Sequence, residues 1–197
     1  METNRLEAFS DGVLAIVITI MVLELKVPAG EDVTALLPLW PVFVSYVLSF
    51  IYIGIYWNNH HHLIKAARRV NGAALWANLH LLFWLSLLPF TTGWMGENHF
   101  ARAPICLYGA NLLAAALAYT LLQAVLIRLH GPESLLARAI GRDFKGRISP
   151  VLYALGIAAA WLLSPLLGLA FFIGVALIWL VPDQRIEKTV ASMKDRP

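Results

Sequence analysis

Six apolar stretches, at about residues 5–25, 36–63, 71–92, 104–129, 149–163 and 166–181, take up most of this 197-residue chain. About 20 apolar residues in helical form cross a bilayer. The pattern therefore predicts an all-α integral membrane protein of six transmembrane helices joined by short loops. Composition agrees, with 59% hydrophobic and 14% charged residues, where a soluble chain carries about 45–50% and about 25%. No extramembrane domain of ordinary size, about 100 residues, fits beside such spans. Residues 1–197 read as one transmembrane domain, with 182–197 a short cytoplasmic tail, and function has to be carried within the membrane or at its faces. No cleavable signal peptide is expected, since Arg5 is the one basic residue ahead of the first apolar run and no A-x-A site follows it.

Breakers and charges set the topology. Lys26, Pro28 and Gly30 close the first stretch, and Pro38 and Pro41 open the second. Ser164-Pro165 splits the last two into a tight hairpin, because Pro165 lacks a backbone donor and disfavours helix at the residue before it. With this topology Arg5, Lys65, Arg68, Arg69, Arg128, Arg138, Arg142, Lys145, Arg147, Arg185, Lys188, Lys194 and Arg196 share one side, and only Lys26 and Arg102 fall on the other. That bias predicts cytoplasmic termini by the positive-inside rule. The net charge of +3 then reflects topology, and nucleic acid is not an expected partner. The single cysteine, Cys106, excludes an intramolecular disulfide and a Cys-based zinc site.

Polar residues inside the spans are the informative ones. At 100° per residue, Arg5, Phe9, Gly12, Ile16, Thr19, Ile20 and Leu23 share a stripe of the first helix, while Ser10 and Asp11 lie off it. Asp11 is costly in lipid and is expected to face the bundle interior with a partner. Its role is either folding and subunit register or direct handling of ions or protons. Ser45, Ser49, Tyr52, Tyr56 and Asn59 recur at i, i+4, i+7, i+11 and i+14. Such a row glues helices together more often than it lines a wet path. His60-His61-His62 point about 100° apart on a helix and cannot chelate one ion together; no fixed metal and no cofactor are expected. An interhelical network of His60, His80, Asn78 and Asp11 satisfies more polar groups.

Several familiar arrangements are missing. No nucleophile elbow, H-E-x-x-H or P-loop occurs, and no pair of intramembrane acids suits acid/base work, so an enzyme is not expected. Thr92-Gly93-Trp94-Met95-Gly96 is similar to the T-V-G-Y-G potassium filter, but its glycines are one residue too far apart and no pore helix fits ahead of it. The chain has no internal repeat of the inverted-repeat transporter kind. A pore is therefore expected on a symmetry axis between copies. Glu24 and Glu97 default to a solvated rim, although a ring of Glu24 carboxylates would concentrate cations at a pore mouth.

Arg5-x-x-x-Phe9-Ser10-Asp11-Gly12-Val13-x-Ala15-Ile16-x-x-Thr19-x-x-x-Leu23-Glu24 resembles the signature of the transmembrane-175 family, the lysosomal-type potassium channels and their prokaryotic relatives. Gly54-Ile55-Tyr56-Trp57 with His60, Trp76-Ala77-Asn78 and Leu88-Pro89-Phe90-Thr91 extend the resemblance over about the first 95 residues. It implies a six-helix subunit without a filter loop, assembled as a homotetramer in a prokaryotic cell membrane, with the first helix lining a central pore. The residue matching Ile16 forms the narrowest ring, Ile20 and Leu23 match further apolar constrictions, and Thr19 matches a hydroxyl that contributes to cation selectivity. Arg5, Phe9, Ser10 and Asp11 are carried over as an interhelical network that includes His60, Asn78 and His80.

The family reading implies weak-to-moderate potassium over sodium selectivity through a hydrophobic gate, passage of other monovalent cations, and a proton leak. Membrane lipids are the remaining expected partners. A second reading is a proton-coupled transporter in which Asp11 and His80 titrate; a third is a membrane scaffold that moves no ions.

Overall fold

The computed structural model describes residues 3–67, 69–141 and 144–180. Arg68 and Arg142, four basic residues of the tail and the segment expected to form it lie outside the described residues. Among the described residues every regular element is helical. They run α1 (Asn4–Leu23), a 3-10 turn (Val33–Leu39), α2 (Trp40–Ala66), α3 (Gly72–Ser86), α4 (Leu88–Glu97), α5 (Arg102–His130), α6 (Leu135–Ile140), α7 (Phe144–Leu162) and α8 (Pro165–Leu180).

Local chemistry explains most of the boundaries. Asn71 caps α3, its side-chain oxygen accepting from Ala74 N at 2.9 Å, and Ser134 caps α6 from Ala137 N at 3.2 Å. Pro41 sits in the first turn of α2, where its missing donor costs nothing. Gly131, at φ +89°, ends α5 in a conformation that side chains rarely adopt. Pro89 divides what the sequence presents as one helix: it cannot donate to the preceding turn, and the chain breaks at Leu87 into α3 and α4. Hydropathy alone predicts an unbroken helix over 71–92; the structure continues it, past the break, to Glu97.

Four helical stretches are long and apolar enough to cross a bilayer: Asn4–Leu23, Val33–Ala66, Gly72–Glu97 and Arg102–His130. α8 is apolar throughout but has 16 residues, which at 1.5 Å per residue is about 24 Å. α7 and α8 pack as a hairpin on α5 through small residues. Phe172, fully buried, fills the space above two glycines: a Cβ at Gly109 of α5 would come within 2.3 Å of its ring, and one at Gly156 of α7 within 2.6 Å. At Gly168 of α8, where a Cβ would lie 2.6 Å from Gly156 O, the α7 and α8 backbones themselves approach, the usual mode of association where lipid supplies no hydrophobic drive.

The polar row of α2 points into this bundle. Ser49 Oγ lies 2.6 Å from Thr92 Oγ1 of α4 and 3.0 Å from Tyr108 OH of α5, and Tyr52 donates to Phe172 O of α8 at 2.6 Å. Tyr119 of α5 donates to Asn59 O at 3.1 Å, and Asn59 donates to Ile55 O. Each bond joins helices or satisfies a buried group, and together they make the row a packing seam.

Candidate functional site

α1 has two unlike faces. Leu6, Ser10, Leu14, Val17 and Met21, at intervals of four, four, three and four, are buried against α2, α3 and α4. On the outward side Ile16 is 58% exposed, Ile20 43% and Leu23 80%. Thr19 shares that side and turns its hydroxyl back to Ile16 O at 2.8 Å, a bond that keeps the group satisfied at apolar depth. A row of large apolar side chains without cover, carrying one hydroxyl, thus runs along the helix, and beside it α3 and α4 leave a groove of about 550 Å³ that ends at Glu24 and Glu97.

The inward face is held by a three-helix relay. Ser10 Oγ donates to Leu6 O at 2.8 Å and accepts from Asn78 Nδ2 of α3 at 2.9 Å; Asn78 Oδ1 lies 2.8 Å from His60 Nε2 of α2. All three residues are buried. Since the Asn78 nitrogen is spent on Ser10, its oxygen must accept, so His60 carries its hydrogen on Nε2. Among the described residues His60 Nδ1 is buried without a partner.

The wider network expected from the sequence divides. Asp11 does not reach His60 or Asn78 through any hydrogen bond; its Oδ1 accepts from Trp57 Nε1 of α2 at 3.0 Å. Trp57 stacks on His61 with 6.1 Å between centroids, and His61 Nδ1 lies 2.8 Å from Glu7 Oε1, a second tie between α1 and α2. His80 stands apart on the outward side of α3 and accepts from Trp84 Nε1 one turn on, at 2.9 Å. Arg5 and Phe9 are exposed beside a groove with Leu79, and Arg5 makes no hydrogen bond or ion pair among the described residues. Glu7, Trp57 and His61 are partners of α1 and α2 that the expected network did not include. The spacing of Glu7 and Asp11, one turn apart on α1, was the signal available.

The histidine run behaves as its helical spacing requires: His60 turns inward to Asn78 and His61 toward Glu7. Among the described residues no three His, Cys, Asp or Glu side chains come together as a metal site. Thr92 to Gly96 lie within α4. Thr92 is bound to Ser49, and Gly96 presses so close to α2 that a Cβ there would lie 2.8 Å from Val42 Cα. This segment is helix–helix packing and offers no row of free carbonyls. Beyond the end of α1, Lys26 Nζ donates to Glu97 Oε1 at the end of α4, a bond that raises the lysine's pKa above its ordinary value.

Comparison with known proteins matches this geometry to one family. Residues 5–89 match the model described as endosomal/lysosomal potassium channel TMEM175. A potassium channel from Chryseobacterium sp. (strain P1-3) is 56% identical over 190 residues, covering 96% of this chain and 98% of its own. The human endosomal/lysosomal proton channel TMEM175 is 34% identical over 116 residues, 53% of this chain and 23% of that one. In three dimensions the fold is similar to the crystal structure of a lysosomal potassium-selective channel TMEM175 homolog from Chamaesiphon minutus, with TM-score 0.80 and 31% identity over 91% of this chain and 96% of that one. The chain is an integral membrane protein that belongs to the TMEM175 family.

Proposed function

We propose that copies of this chain assemble as a homotetramer around a central pore lined by α1 and conduct potassium. The observation that carries this reading is the outward row of Ile16, Thr19, Ile20 and Leu23 on a helix whose opposite face is tied down by Ser10, Asn78 and His60. Relatives named potassium channel, similar over nearly the whole chain, support it. A pore axis gives the exposed row something other than lipid to face.

Rings of isoleucine and leucine would close such a pore by dewetting. An ion crossing them sheds much of its water, and potassium, larger and more weakly hydrated than sodium, does so at lower cost. Selectivity from that device is weak to moderate, because no fixed oxygen cage replaces the lost water. Thr19 adds one hydroxyl per copy at the level between Ile16 and Ile20. Six spans with both termini cytoplasmic fit the distribution of basic residues, with α7 and the short α8 completing the count. A proton leak through the same pore is consistent with relatives named proton channel.

Against a carrier that titrates Asp11 with His80 stands the separate bonding of the two groups, one to Trp57 and the other to Trp84. The test is potassium flux in proteoliposomes with Ile16→Asn. Wetting the constriction raises flux and reduces discrimination against sodium; unchanged flux and selectivity would overturn the reading. Cross-linking in mild detergent checks the assembly, since a monomer offers no axis for a ring of Ile16.

A further inference from the structure

Four charges or potential ligands gather where α1 and α4 end: Glu24 and Lys26 from the first, Glu97 and His99 from the second. Glu24 lies over α4, its Oε2 3.6 Å from where a Cβ on Gly93 would stand. Glu24 and Glu97 both border the groove that runs down to Ile16 and Ile20. Lys26 is bound to Glu97, and Glu24 also acts on it through charge. The Lys26 side chain is 75% exposed and that of Glu97 45%, so the pair adds little to stability. Its consequence is electrostatic: two carboxylates border the mouth, and one is neutralised.

We propose that Lys26 is a specificity-determining residue that sets the cation-attracting charge of this mouth by neutralising Glu97 and leaving Glu24 as the effective anion. The proposal rests on the channel reading and deepens it. Each copy presents one net negative charge from these three side chains. Lys26→Gln doubles it, Glu97→Gln abolishes it, and the double substitution restores it without restoring the bond. Charge at a mouth raises the local concentration of the permeant ion, an effect that reaches about 30 Å at 10 mM salt and about 3 Å at 1 M.

The experiment is single-channel recording of the full chain in planar bilayers at pH 8. In 10 mM KCl, Lys26→Gln raises unitary conductance about two- to threefold and Glu97→Gln lowers it by a similar factor, less than the roughly tenfold or more that a whole charged cleft gives. The double variant and Lys26→Arg stay near wild type, and in 1 M KCl the differences vanish. Equal conductance in all variants at low salt overturns the proposal. So does a double variant that behaves like either single one, because the bond and not the charge would then matter. Ile16→Asn in the same bilayers separates the two readings: if it raises current while the charge series is flat, only the role of Lys26 falls. If neither it nor wild type conducts, the channel reading falls and takes the proposal with it.

Discussion

The α1 flank and the α7–α8 hairpin both turn large apolar side chains outward, yet their inner faces are built differently. Behind Leu155, Trp161, Leu166 and Leu177, all exposed, the hairpin is held by close backbone approach, with Phe172 seated on Gly109 and Gly156. Behind Ile16 and Leu23, α1 is held by directional bonds, from Ser10 to Asn78 and from Asp11 to Trp57. Small-residue packing fixes distance, and the bonds from Tyr52 to Phe172 O and from Trp179 to Ser149 Oγ supplement it. Hydrogen bonds fix rotation about the helix axis, which is what a helix needs if one particular row must face a pore. Lipid suffices as a neighbour for the hairpin, whereas the α1 flank carries a hydroxyl at Thr19 and ends at carboxylates.

The contrast can be broken by exchanging the two kinds of damage. The largest effect is expected from Gly109→Val, whose Cβ would lie within 2.3 Å of the Phe172 ring; overpacking costs about 1–3 kcal/mol or more, and thermal unfolding in detergent should drop sharply or the protein fail to accumulate. Gly54→Ala is the control, since a Cβ there meets nothing within 4 Å. Next comes Asn78→Leu. Stranding His60 in the interior costs about 1–3 kcal/mol, while Ser10 keeps its bond to Leu6 O, and because α1 loses its rotational anchor, flux and sodium exclusion change along with melting temperature. A melting shift with unchanged permeation would erase the distinction drawn here. Trp57→Phe removes one donor from partly exposed Asp11 and should cost about 1 kcal/mol, with the permeation change smaller than for Asn78→Leu. The smallest effect concerns pH. Lys26 has its pKa raised by Glu97, so the folded state holds that proton more tightly than the unfolded chain. The pair's contribution is then complete below the ordinary lysine value and is lost only as pH climbs through the raised one. Melting curves of wild type and Lys26→Gln should differ by the same small amount from pH 6 to 9 and converge in stronger alkali.

Parts of this were legible in the sequence and parts were not, for physical reasons. That Ile16, Thr19, Ile20 and Leu23 share one face of α1 follows from 100° per residue alone, because a single helix has only one geometry; that the face is uncovered is set by how the other helices pack. The seam of Ser45, Ser49, Tyr52, Tyr56 and Asn59 was readable for the same reason. Pro89 was visible as a breaker, yet the reading carried the helix through it, since the surrounding residues are apolar on both sides and hydropathy is blind to a missing donor. Partners across helices were the hard part. Lys26 and Glu97 are separated by 71 positions, and nothing local connects them. His80 looked like a member of the Asn78 network from two residues away, but that offset turns it about 200° around α3, out to Trp84.

His60 offers a way to watch α1 from behind. Its two ring nitrogens are fixed in different states, one bearing hydrogen toward Asn78 and the other a bare lone pair shut away from water. In nitrogen-labelled protein those states resonate far apart, so this single ring reports whether Asn78 is still oriented by Ser10. Any movement that lifts α1 off its seat frees the Asn78 amide to turn over, and the record of that movement would be a change of tautomer in a buried histidine two side chains away.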